Sequence, residues 1–134
     1  MIKQLSVFLK NQPGELGRIM AVLKDAEVKS RAMCITDTGE NGILRLLPDH
    51  WEVGESALKQ AGIVSHVSKV LVLDLEHDQD MAGVFSHLLE HQLNIEYLYS
   101  FDATRMVLKI EDAQEASAVL RDLGYRVIEE EELR

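Results

Sequence analysis

The residues best placed to do chemistry in this chain sit between an apolar strand and an amphipathic helix, in the stretch LKNQPGELGRIMAVLKDAEVK: Asn11, Gln12, Pro13 and Gly14. Pro13 sets its own φ and has no N–H to lose, so it pre-forms the entry to a helix. Gly14 lacks a Cβ, which lets a small molecule come close to the backbone. The N–H groups that follow, around Glu15, Leu16 and Gly17, have no intrahelical acceptors and lie at the positive end of the helix dipole. Such a helix start receives a carboxylate without an arginine. The same residues could also make an ordinary strand-to-helix turn, with Asn11 or Gln12 only capping the helix.

Other constellations offer less. His87 and His91 in HLLEH share a helix face with Glu90 beside them, the spacing of an inverted zinc-protease helix, but no third ligand is identifiable. No metal and no cofactor are expected. Cys34 lies in a strand without a Cys or His partner and is expected to be a packed core thiol. Trp51 follows Pro48 and Asp49 and is expected in a connection, capping the core edge or an interface. No dinucleotide glycine motif, phosphate loop or nucleophile elbow is present, so no catalytic residue is named and no enzyme is expected.

Composition narrows the partners. The chain has 134 residues, 46% of them hydrophobic and 28% charged, which suits a folded globular protein. Its 23 acidic and 14 basic residues give a net charge of −9, and the basic ones are scattered. A phosphate backbone would be repelled, so no nucleic acid is expected. No apolar run approaches the roughly 20 residues that span a bilayer, and Lys3, Gln4, Ser6 and Lys10 interrupt the N-terminal stretch, so neither a membrane partner nor a signal peptide is expected. A single cysteine fits a cytoplasmic location. The run Glu129, Glu130, Glu131, Glu132 reads as a solvated tail.

The elements that must position the Pro13–Gly14 turn are repeated. Periodicity predicts strand 4–10, helix 15–26, strands 30–37 and 42–47, helix 53–60 and strand 63–67. It then predicts strand 70–75, helix 81–91, strands 95–101 and 105–110, helix 113–123 and strand 125–129. Leu16, Ile19, Met20 and Leu23 make one helix stripe, and Met81, Val84, Phe85 and Leu88 repeat it. Gly62 and Gly124 suit left-handed positions after helices. TGENG and DAT read as hairpin turns. The strands ILRLL, MVLKI and IEYLYSF are apolar on both sides, which implies that each sheet face is covered. The fold expected is α+β: two ferredoxin-like βαββαβ units with antiparallel sheets and helices on one face, divided as 1–68 and 69–134.

Two βαββαβ units of this size, with KNQPGELGRIMAVLKDAEV entering the first helix and LNIEYLYSF as a later second strand, resemble a stand-alone tandem pair of ACT domains over the full chain. The RNA recognition module shares the βαββαβ order, and Tyr97, Tyr99 and Phe101 could imitate its aromatics, but its basic component is missing. The resemblance implies a non-catalytic, allosteric regulatory protein that binds an amino acid where the first strand–helix loop faces a neighbouring unit. The ligand's carboxylate would meet the loop from Asn11 to Leu16. Its ammonium would need acceptors, for which the oxygens of Asn11, Gln12 and Asp37 are candidates. The resemblance points to Met33, Ile35, Tyr97 and Tyr99 as walls. It also implies a homodimer and a metabolic enzyme as partner. An interaction subunit that docks on such an enzyme through its sheet faces, without a ligand of its own, is the alternative. The second half starts its helix from EHDQDM, with Asp78 and Asp80 where Pro-Gly would be, so one competent loop per chain is expected.

Overall fold

In the first strand Leu5, Val7 and Leu9 alternate with Ser6, Phe8 and Lys10, so one face is apolar and must be buried. The computed structural model describes residues 1–134 apart from Asn11, Thr38 and the side chain of Asp37. Its elements are β1 (Ile2–Lys10), α1 (Glu15–Asp25), β2 (Ser30–Asp37), β3 (Asn41–Pro48), α2 (Trp51–Gln60), β4 (Ser65–Asp74), α3 (Met81–Glu90), β5 (Ile95–Ser100), β6 (Arg105–Ile110), α4 (Ala113–Asp122), β7 (Arg126–Val127) and a short 3-10 helix, Glu130–Leu133.

The chain divides into two units. The first holds Lys3–Ser68 with Leu133–Arg134, and the second holds Met1–Ile2 with Lys69–Glu132. Strand order is β2-β3-β1-β4 in the first and β5-β6-β4-β7 in the second. The ladders β1·β3, β2·β3, β4·β6, β5·β6 and β4·β7 are antiparallel, so each unit is a ferredoxin-like βαββαβ fold. In the first unit Leu5, Val7 and Leu9 of β1 and Leu44 and Leu46 of β3 bury against Ile19 and Leu23 of α1 and Leu58 of α2. In the second, Leu71, Leu73, Leu108 and Ile110 meet Val84 and Leu88 of α3 and Leu120 of α4. Each such side chain contributes about 1.5–3 kcal/mol on burial. Leu47, Val70, Val72 and Val107 are fully buried outside these helix-side clusters, in line with the two-sided apolar pattern of the strands.

Among the described residues, α1, α2, α3 and α4 end in one way. The N–H groups of Val28, Ile63, Leu93 and Tyr125 each donate at 2.9 Å to the carbonyls of Leu23, Leu58, Leu88 and Leu120. That is the Schellman motif, which needs a left-handed residue just before the donor. Gly62 and Gly124 fill that position in α2 and α4, whereas Glu27 and Gln92 adopt positive φ of 59° and 56° after α1 and α3.

Several expectations are corrected. Two strands were expected at 63–67 and 70–75; one strand, β4, spans Ser65–Asp74, because nothing in SHVSKV breaks an extended run. Trp51 opens α2 instead of lying in a connection, and the Lys3 ammonium stands 5.6 Å from its ring centroid. The last strand shrinks to Arg126–Val127 because the acidic run is not a free tail. Glu129 accepts from the N-terminal amino group at 2.9 Å and from Arg121, and Glu132 accepts from Arg126 and from the Glu129 N–H. Leu133 is only 2% exposed. The helix stripes are narrower than expected: Ile19 with Leu23 and Val84 with Leu88 are buried, while Leu16 and Phe85 at their margins stay exposed.

Candidate functional site

The start of α1 is a tight turn with an open end. Gly14 has φ 87° and ψ −8°, the values of the third residue of a type II turn, for which Pro at the second position and Gly at the third are the preferred pair. The turn is closed loosely, with the Glu15 N–H 3.4 Å from the Gln12 carbonyl, and the first helical bond runs from Arg18 N–H to the Gly14 carbonyl at 2.9 Å. Among the described residues no side chain caps this helix. A Cβ on Gly14 would have nothing within 4 Å, so glycine is required there for its left-handed φ rather than for close approach.

Beside the turn lies a cavity of about 270 Å³. The register explains its walls. Leu9, Gly42 and Asp37 pair in one row across β1, β3 and β2, and Val7, Leu44 and Ile35 form the next row on the same face. The cavity is lined by Leu9 and Lys10 at the end of β1, by Gln12, Glu15 and Leu16 of the turn and helix start, and by Ile35 of β2. Gly39, Asn41 and Gly42 of the β2–β3 hairpin complete it. A Cβ on Gly42 would stand 3.5 Å from Ile35 Cγ2 and 3.8 Å from Leu9 Cβ, so at this position the missing side chain does leave space.

The equivalent corner of the second unit is built differently. The Asp80 carboxylate accepts the Gly83 N–H at 2.8 Å, capping α3 from within. Gln79 Oε1 accepts the Glu76 N–H at 2.9 Å and ties the preceding loop to itself. The β5–β6 turn is clamped by Asp102, which accepts from the N–H groups of Thr104 and Arg105 and from the Arg105 guanidinium. The guanidinium bond, with those two N–H groups, holds the Asp102 carboxyl down at about 2.

The residues singled out from the sequence are thus partly gathered. Gln12, Glu15, Leu16 and Ile35 meet around one cavity, with Pro13 and Gly14 shaping its rim. Met33 lies one row further along, roughly 7 Å from Ile35 at the rise of a strand, beside Met20, Lys24 and Val28. Tyr97 and Tyr99 belong to β5 of the second unit, Tyr99 buried and Tyr97 half-buried. Asn11 lies outside the described residues, as does the side chain of Asp37. Cys34 is half-buried on β2, not a core thiol, and burial raises its pKa although Arg45 opposes this. His87 packs edge-on to Tyr125, and His91 Nδ1 lies 2.9 Å from the His87 carbonyl oxygen. Leu9, Lys10, Gly39, Asn41 and Gly42 were missed. Their signal is the hairpin: Gly42, at the end of TGENG, pairs with Leu9 and brings one position without a side chain beside the turn.

The whole chain, residues 1–134, matches the family model of the ACT domain pair. The chain belongs to that family. The ACT pair is similar in structure to protein BT0572 from Bacteroides thetaiotaomicron, with 26% identity and a TM-score of 0.91 over 98% of this chain and 94% of that one. It shares its fold with the regulatory subunit of aspartate kinase from Thermus thermophilus, at 14% identity and a TM-score of 0.64 over 91% and 92% of the two chains. The corresponding subunit from Thermus flavus gives 14% identity and a TM-score of 0.62 over 90% of each chain. No curated protein matches the sequence. Among the described residues no helix is long and apolar enough to cross a membrane.

Proposed function

We propose that this ACT pair is a non-catalytic regulatory protein that binds a free amino acid at the corner of its first unit. The observation that carries the reading is the contrast between two helix starts in one chain: both border a cavity, but α3 is filled by its own Asp80 carboxylate, whereas α1 has no side-chain cap among the described residues. A ligand carboxylate would take at α1 the place that Asp80 takes at α3. Among the described lining residues, Lys10 and Glu15 put one charge of each sign at the cavity, which suits a zwitterion. At about 270 Å³ the cavity falls below the roughly 300–1,000 Å³ of drug-sized sites, so one small metabolite fills it. Regulation would follow by linkage, the ligand favouring whichever arrangement of the protein binds it more tightly.

The test is a calorimetric and thermal-shift screen of the free amino acids against the whole chain. Ligand at 100 times its Kd should add about 2.7 kcal/mol of stability. If no amino acid binds at millimolar concentration, the reading is wrong. Docking on a metabolic enzyme through a sheet face is the second reading, favoured by Phe8, which stands 62% exposed on the face of β1 away from the helices.

A further inference from the structure

We infer that the first-unit cavity selects an amino acid with an aliphatic side chain. The inference rests on the amino-acid reading above and narrows it to a ligand class. Among the described lining residues the charged groups are Lys10 and Glu15, one of each sign, which match the ammonium and carboxylate of an amino acid and supply no second charge for an ionised side chain. Beyond them the described lining is the aliphatic group Leu9, Leu16 and Ile35, the amides of Gln12 and Asn41, and Gly39 and Gly42. Leu16 is 37% exposed and Ile35 51% exposed, so two aliphatic groups of the site are open to solvent. Covering them with a hydrocarbon side chain is favourable, whereas setting a charge against them costs its hydration without a partner.

Gly42 strengthens the argument. Its backbone is not in the left-handed region, so conformation alone does not demand glycine there. A Cβ would sit among Ile35 Cγ2, Leu9 Cβ and the Thr36 carbonyl oxygen at 3.4–3.8 Å, ordinary contact distances. A side chain could therefore be carried at this position, and it would occupy the floor between the two aliphatic walls. Glycine keeps a side chain out of that floor, between Ile35 Cγ2 and Leu9 Cβ, where an aliphatic ligand group finds apolar contact.

The experiment is calorimetric titration of the whole chain with L-alanine, valine, leucine, isoleucine, methionine, phenylalanine, glutamine, aspartate and lysine. Affinity should rise by about fourfold per buried methylene from alanine towards leucine, with aspartate and lysine weaker than alanine. Ile35→Ala changes an exposed side chain and leaves the fold intact, so it should weaken leucine at least fivefold, an order-of-magnitude figure from the lost methylenes, and leave alanine nearly unchanged. Gly42→Val should fill the floor and weaken leucine further, with circular dichroism confirming the fold. Tighter binding of aspartate, lysine, glutamine or phenylalanine than of any aliphatic amino acid would overturn this inference and leave amino-acid binding standing. Binding of none of them would overturn both.

Discussion

Asp80 Oδ1 lies 2.8 Å from the backbone nitrogen of Gly83, so the start of α3 is neutralised by a carboxylate from its own chain. The start of α1 has Gly14 at the same position and, among the described residues, no side-chain cap. Two copies of one fold thus solve the same electrostatic problem in opposite ways, one by self-supply and one by leaving the site open.

Removing the self-supplied cap should be costly. Asp80→Ala is expected to lower stability by about 1 kcal/mol, and Asp80→Ser to retain most of it, since a hydroxyl also accepts the Gly83 N–H. Urea unfolding of the three proteins measures this, and equal midpoints for alanine and wild type would show that the bond contributes nothing.

The helix ends offer a gain. Glu27 and Gln92 hold left-handed conformations where α2 and α4 use glycine. Non-glycine residues carry about 1 kcal/mol of steric cost there, so Glu27→Gly and Gln92→Gly should each stabilise, and Gly62→Ala and Gly124→Ala should each destabilise by a similar amount. The four denaturation midpoints should separate into two above wild type and two below it.

Acid should loosen the β5–β6 turn. The Arg105 guanidinium and two backbone N–H groups hold Asp102 at about 2, below its ordinary 3.8. A folded-state value below the unfolded one means the clamp stabilises above about pH 4 and is lost as pH falls towards 2. Asp102 is exposed, so screening keeps the effect under about 1 kcal/mol. Asp102→Asn should therefore flatten the fall in unfolding free energy between pH 4 and 2; an unchanged slope would mean that the clamp does not form in solution.

The C-terminal segment separates anchors from solvated charge. Leu133 is buried, and its carbonyl accepts from Arg31 Nε at 2.9 Å, whereas Glu131 is exposed. Leu133→Ala should cost about 2 kcal/mol or more, and Glu131→Ala less than about 0.5 kcal/mol. Thermal unfolding that ranks them equally would return the whole segment to a free tail.

Much of this molecule is visible in its residues. The stripe of Ile19 and Leu23, the glycines at 62 and 124 and the DAT turn are local signals: helix period, left-handed caps and turn chemistry act within a few residues. Repetition of the βαββαβ order doubled each signal, and the Pro13–Gly14 turn was legible for the same reason. Local signals also misled. Pro-Gly marks the turn type more than the ligand, and Glu129 and Glu132 read as solvated because their partners, the N-terminus, Arg121 and Arg126, are distant in sequence or lie across a turn.

By itself, then, the amino-acid sequence determined the βαββαβ repeat and the Pro13–Gly14 turn into the first helix, because these depend on backbone preferences and on which faces must leave water, while the merging of two expected strands into β4 escaped it. Only the tertiary structure decided which residues share the cavity. Leu9, Ile35 and Gly42 come together through antiparallel register, where a shift of one residue would turn every side chain to the other face. The same register sets Met33 one row away from the site. Pairing across strands is set by the whole sheet, and no stretch of the chain read alone contains it.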